Sequence, residues 1–145
     1  MADLSANSVS IDAPAGDVFA ILVDIENFPS WSSAIKNVEV LDRDGSGRAT
    51  KVKLKVEAGV LKDNPTLNYD YSKAPAEIAF SLEEADLMTE MTGTYTIKDN
   101  GDDTCTVTYA LGVQVAMPVP EMMRRKAEMA TIDAALGQLK KKIEG

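Results

Sequence analysis

The sequence predicts an α+β domain in which a curved antiparallel sheet of about seven strands is closed by one long C-terminal helix. Three observations predict it. Apolar residues alternate with polar ones from Ile35 to Val115, broken only by short turn-like stretches. A short segment with helical spacing precedes that region, and an unbroken helical pattern follows Pro120.

Ser8 to Ile11 reads as a short first strand, and Asp12-Ala13-Pro14 supplies a capping-type residue with a proline near the first helical position. Val18, Phe19, Ile21 and Leu22 then fall at helical spacing, so Pro14 to Val23 is an amphipathic helix. Asp24 to Phe28 restarts as a second helical segment, Pro29 opposes its continuation, and Trp31 lies just past it. From Ile35 the period becomes two. Val38 and Val40 alternate with Asn37 and Glu39, and Asp44-Gly45-Ser46-Gly47 forms a hairpin turn. Next, Val52, Leu54, Val56 and Ala58 share one face while Lys51, Lys53, Lys55 and Glu57 share the other. The inward phases of the later strands are Leu67, Tyr69 and Tyr71; Ile78, Phe80 and Leu82; Met91, Gly93, Tyr95 and Ile97; and Cys105 through Tyr109 to Val115. Turns are expected at Ser72 to Pro75, Glu83 to Asp86 and Asp99 to Asp102. Such strands form an antiparallel meander with one solvated face.

Pro118-Val119-Pro120 ends the sheet, and Glu121 opens a helix that runs almost to Gly145 with Lys140 to Lys142 in its last turns. Met122, Met129, Ile132, Leu136, Leu139 and Ile143 step by 7, 3, 4, 3 and 4 residues and form one apolar stripe. A helix of about 24 residues is roughly 36 Å long and about 10 Å wide, so it spans the sheet lengthwise but not across. The inward residues are apolar and uneven in size, with Ala58 and Gly93 set among tyrosines. A gutter roofed by a single helix is hard to fill, which points to an apolar ligand cavity.

The element order β-α-α-β6-α resembles the START and birch-pollen-allergen (SRPBCC) superfamily, in particular its bacterial polyketide cyclase/dehydrase-like branch. Ser10 to Phe19 resembles the family's opening strand and first helix, and Asp24 to Trp31 its second helix with the proline-to-tryptophan signature. Asn100 to Tyr109 resembles its last hairpin, and Pro118 to Met122, with Leu136 and Leu139-Lys140, its closing helix. The likeness covers essentially the whole chain, 1–145, as one domain. It implies a helix-grip fold and a cavity for lipids, isoprenoids or polyketides, without one shared reaction.

Composition narrows the chemistry. The chain has no histidine, and one cysteine without histidine builds neither a Cys–His nucleophile nor a zinc site. Cys105 reads as a small buried apolar residue. No phosphate-cradling glycine loop or nucleophile elbow is present, so neither a cofactor nor a metal is expected. A net charge of −8 argues against nucleic acid and anionic membranes as partners. No apolar run is long enough for stable membrane insertion, and a lone cysteine suits a reducing, bacterial-type cytoplasm.

The cavity candidates are Trp31, Leu54, Tyr69, Tyr71, Phe80, Met91, Tyr95, Tyr109, Met122 and Met129. The tyrosines either orient a ligand oxygen or form plain aromatic core. As bases they are poor, since a phenol pKa near 10 leaves about one part in a thousand ionised at neutral pH. Arg124 and Arg125 fall off the helix stripe and are expected on the solvated surface, with an acidic ligand group at the entrance as the alternative. Three functions fit: a binding protein for a small hydrophobic molecule, a cyclase, aromatase or dehydrase, and an interaction module with a filled interior.

Overall fold

A computed structural model describes residues 4–58 and 61–145, with the side chains of Ala58 and Leu61 excepted. The inward placement expected of Ala58 therefore lies outside the described residues. Strand β1 (Ser5–Ile11) leads into α1 (Ala15–Val23) and a 3-10 helix (Ile25–Ser30). The strands β2 (Ile35–Arg43), β3 (Ala49–Ala58), β4 (Leu61–Asp63), β5 (Thr66–Asp70), β6 (Glu77–Glu84), β7 (Met88–Asp99) and β8 (Cys105–Val115) follow, and α2 (Glu121–Glu144) closes the chain. The sheet runs β1-β8-β7-β6-β5-β3-β2, with antiparallel pairing throughout. This is the helix-grip architecture. The strand absent from the sequence reading is β4, which pairs with β3 at Val56↔Asp63 beside the β5 pairing at Lys53↔Thr66. Asn64-Pro65 divides what is otherwise one strand, because proline has no N–H to give the ladder. Pro65 keeps only its carbonyl in play, accepting the Leu54 N–H at 2.9 Å.

A row of polar ties fixes where α2 lies. Ser5 Oγ donates to Glu128 Oε1 at 2.7 Å, Asn7 Nδ2 to Asp133 Oδ1 at 2.8 Å, and Lys140 Nζ to the Ser10 carbonyl at 2.6 Å. The Asp12 N–H donates to Glu144 Oε2 at 2.8 Å. The partners advance together along both elements, so α2 runs parallel to β1 and packs on β1 and β8. Between the ties, Ile132, Leu136 and Leu139 are fully buried. Strands stand about 4.8 Å apart, so a helix about 10 Å wide roofs roughly two of them and leaves the β5–β7 side to other cover.

Several boundaries differ from the sequence reading. β1 begins at Ser5 rather than Ser8, β7 at Met88 rather than Met91, and Glu83 and Glu84 belong to β6 rather than to a turn. Lys51 reaches Glu83 at 3.0 Å across the outer face, which keeps that acid in the sheet. Asp12 does not cap α1: Pro14 holds the cap position without a side-chain bond, since the Asp12 main chain is taken by Glu144. Pro29 lies inside the 3-10 helix, where a single missing donor costs little in a six-residue segment.

One glycine is required by packing. The Phe80 ring lies across β7 at Gly93, where an added Cβ would stand 2.1 Å from the ring Cζ. Gly93→Ala is therefore expected to destabilise the fold by about 1–3 kcal/mol. In a double-mutant cycle with Phe80→Leu, denaturant melts should show most of that penalty relieved; full additivity would show that Phe80 is not the obstacle.

Candidate ligand groove

The strand registers set the groove out in rows. Tyr69 stands opposite Phe80, Phe80 opposite Gly93, and Gly93 opposite Leu111. In the next row Leu67 faces Leu82 and Met91 faces Val113. These residues share the inner side of the sheet, yet their burial divides them. Leu54, Phe80, Tyr95 and Tyr109 are buried, whereas Tyr69, Tyr71, Leu82, Met91, Val113 and Met129 are only half-buried although packed against the core. These half-buried apolar side chains on the inner side of β5 to β8 mark the candidate ligand groove.

Of the sequence candidates, the structure gathers Tyr69, Tyr71, Phe80, Tyr95 and Tyr109 into one aromatic row. Ring centroids are separated by 6.1 Å for Tyr69–Tyr71, 5.4 Å for Tyr69–Phe80, 6.4 Å for Phe80–Tyr109 and 4.2 Å for Tyr95–Tyr109. Met91 and Met129 are half-buried and packed against the core. Trp31 lies apart: its ring meets Phe28 edge-on at 5.0 Å and borders a surface cavity of about 270 Å³ beside Ile21, Asn27 and Lys142. A second cavity of about 250 Å³ is polar and involves Lys53 on the outer face.

Met122 does not enter the interior. It is 83% exposed, and Met123, Met117, Val119 and Leu87 are exposed with it. The buried line on α2 passes through Glu128, Ile132 and Leu136 at a spacing of four, and Arg124 continues it. That line leaves Met122 on the far side of the first turn. Arg124 is accordingly not a solvated surface residue. Its side chain is 12% exposed, and Nη1 lies 2.8 Å from Glu128 Oε2. Glu128 also accepts the Val113 N–H at 2.7 Å, two residues past the last β8 partner of β1. Removing one member of such a buried pair typically costs about 3–5 kcal/mol. The spacing of four was readable in the sequence, but an acid on an apolar line reads as solvated unless its partners are known.

Asp63 is the other buried acid that sequence reasoning missed. Its Oδ1 accepts the N–H groups of Asn64 and Asp86 at 2.7 and 2.8 Å, and its Oδ2 those of Leu87 and Met88 at 3.1 and 2.9 Å. Burial alone would push this carboxyl upward, but the backbone donors outweigh it and hold the pKa below its ordinary value. The carboxylate thereby fastens the β6–β7 turn to the end of β4.

The tyrosines are held neutral. Burial pushes the phenols of Tyr69, Tyr95 and Tyr109 far above their usual range. Tyr71 is raised to about 12, by burial first and then by the charge of Asp44. Its hydroxyl donates to the Ala49 carbonyl at 2.6 Å. Burial likewise raises the Cys105 thiol. Among the described residues no cluster of three or more acids or thiols is placed to hold a metal ion. The groove offers ring faces and neutral donors rather than a base or nucleophile.

The fold is that of a START-like protein. Residues 11–140 match the family described as "Polyketide cyclase / dehydrase and lipid transport", and the chain belongs to that family. A START superfamily protein from Mycobacterium smegmatis is 26% identical, covers 99% of this chain and 98% of its own, and superposes with a TM-score of 0.92. The Zhui aromatase/cyclase from a Streptomyces species is 18% identical over 97% of this chain and 93% of its own, with a TM-score of 0.75. A Thermus thermophilus protein reaches a TM-score of 0.83 at 16% identity, covering 97% of both chains. The last two likenesses concern the fold alone. No functionally curated protein matches the chain.

Two measurements check the electrostatics. Because the folded pKa of Asp63 is lowered, its contribution is complete above the unfolded carboxylate value near 4 and is lost as pH falls through the folded value. Asp63→Asn should cost about 2–3 kcal/mol at pH 7, and the deficit should shrink on acidification in pH-dependent urea melts; a constant deficit would contradict the assignment. For the tyrosines the sign is opposite. Raised phenol values favour the folded state below about pH 10 and destabilise it above. Ultraviolet titration should therefore show phenolate appearing together with alkaline unfolding, not in a separate step near pH 10.

Proposed function

We propose that the chain binds a small hydrophobic molecule, of lipid, isoprenoid or polyketide-like character, in the groove between the concave sheet and α2. The observation that carries this reading is that Tyr69, Leu82, Met91 and Val113 on the inner face of the sheet, and Met129 on α2, are apolar or aromatic side chains left only half-buried. Leaving such side chains partly wet forgoes burial worth roughly 25 cal/mol per Å², which a hydrophobic guest would recover. The two thioethers suit a guest of loosely defined shape. Membership in a family described by cyclase, dehydrase and lipid-transport functions supports the same ligand class.

A cyclase-type reaction is the second reading, and the tyrosines bear on it. Phenols held neutral by burial can donate hydrogen bonds to a ligand carbonyl, but they do not abstract protons at neutral pH. Binding without turnover therefore accounts for the groove with fewer assumptions. No helix among the described residues is long and apolar enough to cross a membrane. The acidic surface and single buried thiol fit a reducing cytoplasm with no nucleic-acid partner.

Native mass spectrometry of gently purified protein, followed by solvent extraction, tests the reading. The expected result is an added mass that dissociates on activation and is absent from a Met91→Trp variant, whose indole fills the groove while the melting temperature is kept. A wild-type chain that carries no added mass and takes up no hydrophobic fluorophore would overturn it.

A further inference from the structure

The groove has a charged end that the proposed apolar ligand does not explain. Of the chain's four arginines, Arg43, Arg124 and Arg125 each face a glutamate, namely Glu26, Glu128 and Glu121. Arg48 faces two aromatic rings instead. Its guanidinium lies over Phe19 of α1 at 5.3 Å and over Tyr71, just past β5, at 5.6 Å. Among the described residues the guanidinium makes no ion pair and no hydrogen bond, and Arg48 is engaged through its main chain: its N–H donates to Asp44 Oδ1 at 3.1 Å and its carbonyl accepts the Asp44 N–H at 2.9 Å. Asp44 feels the arginine's charge, but the same Oδ1 also accepts from the N–H and hydroxyl of Ser46.

Two ring centroids within 6 Å restrain a guanidinium without using up its N–H groups. A guanidinium so held can receive a carboxylate through two parallel hydrogen bonds. The stack does not stop at Arg48. Tyr71 continues to Tyr69 and Phe80, and so into the groove. Tyr71 contributes only its ring, because its hydroxyl is held by the Ala49 carbonyl. From the Tyr71 position to the row of Leu67 and Leu82 is four residues along β5, roughly 14 Å at strand rise, the length of a few fused rings.

We propose that Arg48 is an oxyanion-binding residue, and that the groove takes a flat aromatic molecule with a carboxylate or comparable acidic oxygen group at one end. The ring system lies along the Tyr69 side of the aromatic row, and the acidic end meets the Arg48 guanidinium. This rests on the groove being a ligand site, and it narrows the ligand from hydrophobic molecules in general to aromatic acids.

Two fluorophores that share a ring system separate the claims: anilinonaphthalene sulfonate, and phenylnaphthylamine, which lacks the sulfonate. Wild-type protein should bind both. Arg48→Gln should weaken the sulfonate probe about tenfold and leave the neutral probe within about twofold. Arg48→Met, which keeps an apolar stem against the rings, should behave alike, and thermal melts establish that both variants are folded. In the wild type, added salt should weaken the sulfonate probe selectively. If the neutral probe binds and both variants hold the sulfonate as tightly as wild type, the groove stands and the role of Arg48 falls. An equal loss of both probes in Arg48→Met also overturns it, since Arg48 then only shapes the wall. If neither probe binds wild-type protein, the groove reading fails and this inference fails with it.

Discussion

The rest of the structure depends on how α2 is tied to β1. Four polar links in register, from Ser5–Glu128 to Asp12–Glu144, place a helix about 10 Å wide over one edge of the eight-stranded sheet. Hydrophobic contact alone is non-directional and would let the helix slide toward the middle of the gutter. The hydrogen bonds remove that freedom. The apolar residues of β1, β8 and α2 close into one core with Leu67, Ile78, Phe80 and Tyr95 of β5 to β7, while Tyr69, Leu82 and Met91 of those strands stay half-buried.

Buried charge is used sparingly, at two points beside that opening. Glu128 binds the end of β8 and the start of β1 to the helix, while Asp63 binds the β6–β7 turn to β4. Both carboxylates satisfy backbone N–H groups that the sheet leaves without a strand partner. Unpaired, those groups would carry a desolvation cost of about 1–3 kcal/mol each. The two acids thus hold the groove's rim by its backbone and leave its lining free of charge. Arg48 is the exception, a cation held by ring faces at the other end of the aromatic row.

This arrangement suits recognition better than proton transfer. Buried phenols stay neutral, the thiol is buried and raised, and the chain has no imidazole. What the inner face presents is ring surface, thioether and neutral hydrogen-bond donors, the chemistry on which the proposed ligand binding draws.

The sequence alone determined the class of fold and the side of each strand that faces inward. A period of two is set by backbone geometry, so Val52, Leu54, Ile78, Phe80, Tyr95 and Tyr109 were assignable to the inner face from alternation. Element ends were less legible, because β1 gains Ser5 to Asn7 only by pairing with β8 and with α2, contacts more than a hundred residues away. The α2 stripe was read correctly from Ile132 to Leu139 and wrongly at Met122, since periodicity cannot tell where a helix outruns the sheet beneath it. Only the tertiary structure decided which inner residues are sealed and which stay half-buried. It also decided that Asp63 and Glu128, acids that look solvated in one dimension, are buried on donors from other segments, and that half-buried Arg48 lies against two rings. Local pattern fixes the direction of a side chain, but burial and electrostatic partners are properties of what arrives opposite it.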